Sequence, residues 1–166
     1  MKKVQWQVNS RIGRLHLVAS EKGLQGIFWK KQAAPMARSL KKAGPEITIL
    51  RNAADQIEEY LGGKRKKFGL PLDPLGTPFQ KRVWSELKRI PYGKTRSYKD
   101  IAARIKNARA TRAVGSANGK NPLCIIVPCH RVIAADGSLG GYSAGLHIKT
   151  ELLRLERAPS VRAAGR

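Results

Sequence analysis

Ser97-Tyr98-Lys99-Asp100-Ile101-Ala102-Ala103-Arg104-Ile105-Lys106-Asn107-Ala108-Arg109-Ala110-Thr111-Arg112-Ala113-Val114-Gly115-Ser116-Ala117-Asn118-Gly119 reads as two short helices and a turn. Ser97 followed by Asp100 is a helix start, in which each side chain takes an amide that the first turn leaves unpaired. Tyr98, Ile101, Ala102 and Ile105 then recur on one inward stripe. The second helix is expected from about Ala110 to Asn118, with Ala113, Val114 and Ala117 inward and Asn118-Gly119 closing it. The connection from Lys106 to Ala110 is short enough for a helix-turn-helix. Just upstream, Thr77-Pro78-Phe79-Gln80 is another capping box, with proline at the first helical position. Phe79, Val83, Leu87 and Ile90 follow on one face, and Pro91-Tyr92-Gly93 stops that helix.

Toward the N-terminus the period changes. Val4, Trp6 and Val8 alternate with Gln5 and Gln7, and two further runs, Leu15 to Ala19 and Leu24 to Trp29, follow glycine-containing breaks. The pattern predicts three strands in a meander. Lys30 to Glu46 is a basic connection, Ile47 to Leu50 reads as a short strand, and Ala53, Ala54, Ile57, Tyr60 and Leu61 have helical spacing up to Gly62-Gly63. Leu70-Pro71-Leu72-Asp73-Pro74 interrupts all periodicity. The expected architecture is α+β: a small mixed α/β unit over 1–73, a mostly helical unit over 74–157 and a basic tail over 158–166.

The 33 lysines and arginines outnumber 11 aspartates and glutamates, a formal charge of +22 distributed from Lys2 to Arg166. Such a field attracts polyanions, nucleic acid foremost; solubility or adaptation to a hot or saline habitat would also be served by it. The small side chains Ala113, Gly115, Ser116 and Ala117 let something approach the second helix closely. That is another protein element or, in a chain this basic, DNA, with Arg112 reaching into the duplex and Ser116 and the amides meeting phosphates. No run approaches the roughly 18 apolar residues of a membrane span, and the N-terminus does not read as a signal peptide. Two cysteines, Cys124 and Cys129, make no disulfide framework, and a reducing compartment is expected.

Cys129 lies in Ile125-Ile126-Val127-Pro128-Cys129-His130-Arg131-Val132. A cysteine after such an apolar run is ordinarily a buried small hydrophobe. A thiol of ordinary acidity is only about 3% thiolate at pH 7, so chemistry needs a basic partner or a positive field, which His130 and Arg131 are placed to supply. Neighbouring side chains on a strand point to opposite faces, so a Cys129-His130 pair requires an irregular or helical turn after Pro128. Glu156 follows Leu152 by four residues, on the flank of the inward face of a helix patterned by Ile148, Leu152 and Leu155. It is either a surface carboxylate paired with Lys149 or Arg157, or a semi-buried one that needs a partner such as His130.

Pro128-Cys129-His130-Arg131-Val132 resembles the signature of the O6-alkylguanine-DNA alkyltransferases. Arg112-Ala113-Val114-Gly115 is similar to that family's recognition-helix motif, Asn121-Pro122 to its asparagine turn, and Gly140-Gly141-Tyr142-Ser143-Ala144-Gly145-Leu146 to its active-site loop. The similarity runs from about Thr77 to Glu156 and, more loosely, over the N-terminal strands. The resemblance implies a ribonuclease-H-like N-terminal domain and a winged-helix-like C-terminal domain. It implies direct-reversal repair, in which an alkyl group moves once from O6-alkylguanine, and from O4-alkylthymine, in double-stranded DNA to Cys129.

In that scheme His130 withdraws the thiol proton through a water, Glu156 orients His130, Asn121 braces the turn, and Tyr98 donates to the departing base. Arg112 fills the stack after base flipping, with Ala113, Gly115, Ser116, Ala117 and Arg131 at the DNA, while Val132, Gly140, Tyr142 and Ser143 form the substrate pocket. No cofactor and no metal are expected, and the protein is expected to be a cytoplasmic monomer, nuclear in a eukaryote. Cys124 stands where some relatives have proline. A lesion-binding helix-turn-helix protein without chemistry, and a Cys-His hydrolase, are the competing classes. The presence of Cys129 argues against the first, and the adjacent order Cys129-His130 against the second.

Overall fold

The structure, a computed structural model, describes residues 2–157. The proposed basic tail therefore lies outside the described residues. The chain divides into two compact units, Met1–Leu75 and Gly76–Arg166.

The first unit is built on an antiparallel meander of β1 (Lys3–Ser10), β2 (Gly13–Ser20) and β3 (Leu24–Phe28), in that order across the sheet. β1 and β2 pair from Lys3 with Ser20 to Ser10 with Gly13. Helix α1 (Pro45–Leu61) packs on this sheet. Ile47 to Leu50 is thus not a strand. Pro45 sits at the start of α1, and Ile47, Leu50, Ala53, Ile57, Tyr60 and Leu61 form one continuous buried stripe at helical spacing.

Both sheet edges are covered by irregular chain. Gln5 donates its amide to Pro35 O (2.9 Å) and receives Ala37 N (2.8 Å), so the basic connection lies along β1. The Gln5 side chain, expected to face water by alternation, is fully buried and donates to the carbonyls of Gln32 and Ala34. On the far edge Leu24 N bonds to Pro71 O and Asp73 N to Leu24 O, each 2.8 Å, so the proline-broken segment serves as an edge cover.

The second unit contains α2 (Pro78–Leu87), α3 (Tyr98–Arg104), α4 (Thr111–Gly119) and α5 (Leu146–Leu155). It also holds a two-residue parallel pair of β4 (Arg96–Ser97) and β5 (Val132–Ile133). Both capping boxes form: Thr77 accepts from Gln80 N and Ser97 from Asp100 N, with the reciprocal bonds present. Between α3 and α4 the chain turns at Lys106 (φ 59), with Lys106 N on Ala103 O and Asn107 N on Ala102 O, both 3.0 Å. This double bond pattern is a Schellman turn with lysine at the left-handed position.

On α4 the buried residues are Val114, Ala117 and Asn118, while Ala113 faces outward, contrary to its expected inward place. α4 has two glycines and no side-chain N-cap, so it depends on its neighbours: Trp84 on α2 donates its indole N–H to Ala117 O (2.8 Å). Among the described residues no helix is long and apolar enough to cross a membrane.

Candidate active site

The turn that carries Cys129 is fixed by two asparagines. Asn121 accepts Leu123 N on Oδ1 (3.0 Å) and donates from Nδ2 to Val127 O (2.8 Å), closing the loop ahead of Pro128. Asn118, at the end of α4, donates to the Cys129 carbonyl (3.4 Å). Ile125 within the loop has φ 80, a conformation disfavoured for a β-branched residue. After Pro128, residues Cys129–Arg131 form a single 3-10 turn, the helical turn that the Cys129-His130 adjacency required.

Cys129 is 2% exposed. Its Sγ lies 3.9 Å from Cys124 Sγ. The Cys124 contact favours the Cys129 thiolate most strongly; burial opposes it, and Asn121, the Tyr142 hydroxyl and the Lys149 charge add to it, leaving the thiol below its ordinary pKa. The acidity that the sequence reading sought from His130 and Arg131 thus comes chiefly from other groups.

His130 and Glu156 are joined by an Nε2 to Oε1 bond of 2.8 Å, both fully inside. Arg131 donates Nε to Glu156 Oε2 (2.9 Å) and Nη2 to Oε1 (2.8 Å), and its Nη1 donates to Ile90 O (2.7 Å). Burial raises the Glu156 carboxyl, but the hydrogen bonds and charges of His130 and Arg131 outweigh it and hold the pKa at about 2. Burial lowers the His130 pKa, only partly opposed by Glu156, so the imidazole is neutral at pH 7. With its Nε2 proton on the carboxylate, the ring presents Nδ1 as a base.

Glu156 is therefore the buried carboxylate, paired with neither Lys149 nor Arg157. Arg131, expected at the DNA, is 6% exposed and spends its guanidinium on Glu156 and Ile90. A carboxylate at the end of α5 opposes the helix dipole, and the arginine compensates it.

Lys149 was overlooked as a site residue. Its buried Nζ donates to Val132 O (2.6 Å), Leu139 O (2.5 Å) and Gly141 O (3.1 Å), so one ammonium ties the loop to β5. Burial lowers its pKa to about 8, with the Cys129 charge opposing. A sequence signal was present: Lys149 lies three residues before Leu152 and seven before Glu156, on the same inward stripe. Asn118 was overlooked because next to Gly119 it looked like a turn former.

The remaining expected residues divide between the surroundings of Tyr98 and Gly140 and the outer face of α4. Tyr98 is half-buried: a β-carbon on Gly140 would lie 2.8 Å from its hydroxyl, and one on Gly115 would lie 3.8 Å from its ring. Gly140, at φ 69, thus has neither space nor conformation for a side chain. The Tyr142 hydroxyl is buried, and Ser143 is exposed. Val132 is fully buried and contributes its carbonyl to Lys149. Arg112, Ala113 and Ser116 are exposed and Gly115 half-buried on the outer face of α4. Ala117, placed inward by its period and at the DNA by the resemblance, points inside, and its carbonyl holds Trp84. Among the described residues no group of His, Cys, Asp and Glu is arranged to hold a metal ion.

The family described as the 6-O-methylguanine DNA methyltransferase DNA-binding domain matches residues 78–158, and the ribonuclease-like domain of the same name matches residues 7–74. A methylated-DNA-protein-cysteine methyltransferase of Methanosarcina barkeri is 48% identical over 152 residues, covering 90% of this chain and 94% of its own. A constitutive one of Bacillus subtilis is 53% identical over 113 residues, 68% of each chain. The crystal structure of Mycobacterium tuberculosis OGT in complex with DNA is similar with a TM-score of 0.82 and 40% identity, covering 95% of this chain and 96% of that one. With matches over nearly its whole length and a buried Cys-His turn backed by Glu156, the chain belongs to the 6-O-methylguanine DNA methyltransferase family.

Proposed function

We propose that this protein reverses alkylation damage by moving an alkyl group, methyl foremost, from O6 of guanine in double-stranded DNA to Cys129. The observation that carries the reading is the buried Cys129 thiol, held below its ordinary pKa, one residue from a neutral His130 bonded to Glu156. His130 takes the thiol proton through a water. The thiolate attacks the alkyl carbon, the carbon–oxygen bond breaks, and its electron pair leaves with guanine, whose growing charge is met by the Tyr98 hydroxyl. O4-alkylthymine offers the same oxygen-bound carbon. Thiol and alkyl ether become thioether and unmodified guanine, still in its strand, with no atom left over, so no cofactor is needed. A thioether has no carbonyl for water to attack, and each molecule acts once.

DNA lies against the exposed small-residue face of α4, where Ala113, Gly115 and Ser116 permit close approach. Arg112 occupies the place of the extruded nucleotide, since a base within a stacked duplex does not reach a buried sulfur. Ser143 and the amides near Tyr142 hold O6. The protein works as a monomer in the compartment that holds the DNA.

Intact-mass measurement before and after exposure to a duplex containing O6-methylguanine tests this reading. One methyl group per chain, on the peptide bearing Cys129, is expected, and Cys129→Ser should bind the duplex without reacting. An unmodified Cys129 beside surviving lesion would sink it.

A further inference from the structure

Cys124 is not needed by the mechanism above, yet it is the nearest sulfur to the acceptor. The turn braced by Asn121 and reversed at Ile125 places its Sγ 3.9 Å from Cys129 Sγ and 3.6 Å from the Asn121 carbonyl oxygen. Both thiols are buried. A thiol has one proton to donate and a sulfur that accepts weakly, so Cys124 satisfies one of these two neighbours as donor at a time. While Cys129 is protonated, Cys129 donates to Cys124 and Cys124 to Asn121 O. Once Cys129 is ionised, its sulfur is the stronger acceptor, because a hydrogen bond to a charged atom is about twice as strong as one between neutral groups. After alkylation the sulfur is an uncharged thioether, and the preference returns to Asn121.

We propose that Cys124 is a positioning residue for alkyl transfer: its S–H turns from the Asn121 carbonyl to the Cys129 thiolate, holding that thiolate during the reactive state only. The inference rests on the proposed alkyl transfer to Cys129. The thiol acidities agree with it. The Cys124 contact is the largest influence favouring the Cys129 thiolate, and the same contact, together with burial, pushes the Cys124 thiol well up. The other titratable groups facing Cys129 are Tyr142 from the loop, Lys149 from α5 and Tyr98 from α3; His130 adjoins it, with Glu156 and Arg131 behind. All of these are kept when only Cys124 is changed.

A hydrogen-bonded thiolate is more populated but less nucleophilic, which gives a signature that loosened packing would not produce. Single-turnover methyl transfer from a duplex containing O6-methylguanine is followed from mildly acid to mildly alkaline pH for the unaltered chain, Cys124→Ala and Cys124→Ser. In Cys124→Ala the midpoint should move up by about one pH unit, making the thiolate about tenfold scarcer on the acid limb and, since each thiolate is about threefold more reactive, the rate there roughly threefold slower. Above the midpoint the rate should be roughly threefold faster, as the freed thiolate is more basic. Cys124→Ser keeps a donor and should return the midpoint most of the way. Equal midpoints in all three proteins, or an equal rate loss at every pH in both variants, would overturn the proposal. Thiolate absorbance in the ultraviolet, titrated on the same proteins, reads the same midpoints without transfer. If the unaltered chain transfers nothing, the alkyltransferase reading falls, while this titration still decides whether Cys124 holds the Cys129 thiolate.

Discussion

Glu156 concentrates the electrostatics of the site on one carboxylate, accepting from His130 and twice from Arg131. Its folded pKa of about 2 lies below the ordinary 4.5, so its stabilisation is complete above pH 4.5 and is lost as the pH falls through 2. Glu156→Gln should flatten acid unfolding in that window. At neutral pH it should cost about 3 kcal/mol in thermal or urea denaturation, because Arg131 is left buried without its counter-charge. At Lys149 stability also rises with pH, but there the charged form is the disfavoured one. Its folded pKa of about 8 is below 10.5, so the buried ammonium costs stability below pH 8, and that cost is relieved between pH 8 and 10.5. Its loop contacts follow the charge. Transfer rates should therefore decline above about pH 8, and Lys149→Met, slower throughout, should show no such decline in a pH-rate profile.

The elements are held by different means. α2 and α3 start on capping boxes legible in Thr77-Pro78-Phe79-Gln80 and Ser97-Tyr98-Lys99-Asp100, because capping is decided within four residues. α4 has poor intrinsic propensity and is held by Trp84 and by burial of Val114 and Ala117. That leaves Arg112, Ala113 and Ser116 for a ligand. Arg112→Ala should slow repair in duplex DNA by roughly tenfold or more while sparing O6-methylguanine as the free base, since unstacking costs a few kcal/mol only in the duplex. Equal loss on both substrates would remove its role in extrusion. The turn between α3 and α4 carries Lys106 at φ 59, a conformation that costs a residue with a β-carbon about 1 kcal/mol. Lys106→Gly should raise the melting temperature by several degrees.

Across the whole molecule the charge of +22 sets how DNA is met. Binding to an undamaged duplex should weaken by on the order of a thousandfold as salt rises from about 50 to about 200 mM, if roughly six phosphates are neutralised. A flat response in fluorescence anisotropy would contradict the phosphate-contact argument.

The strand meander, the helix run and the helix-turn-helix were all readable from residue order, since period and capping are local properties. Cys129, His130 and Glu156 stood out as candidates from their neighbours, and Asn121 through the family resemblance. Locality failed where burial chose the partner. Ile47 to Leu50 looked like a strand until the rest of the α1 stripe was packed on the sheet, and Gln5 went inside because backbone carbonyls of the connection met its amide. Arg131 left the DNA face for Glu156, and of Ala113 and Ala117, both placed inward by their period, only Ala117 is buried. Sequence alone named the groups proposed to carry the chemistry and most of the segments that become helix or strand. Only the tertiary structure decided that Lys149, Cys124 and Asn118 surround the acceptor, because a buried charge or thiol is satisfied by carbonyls and sulfurs that the fold, not the order of residues, brings within reach.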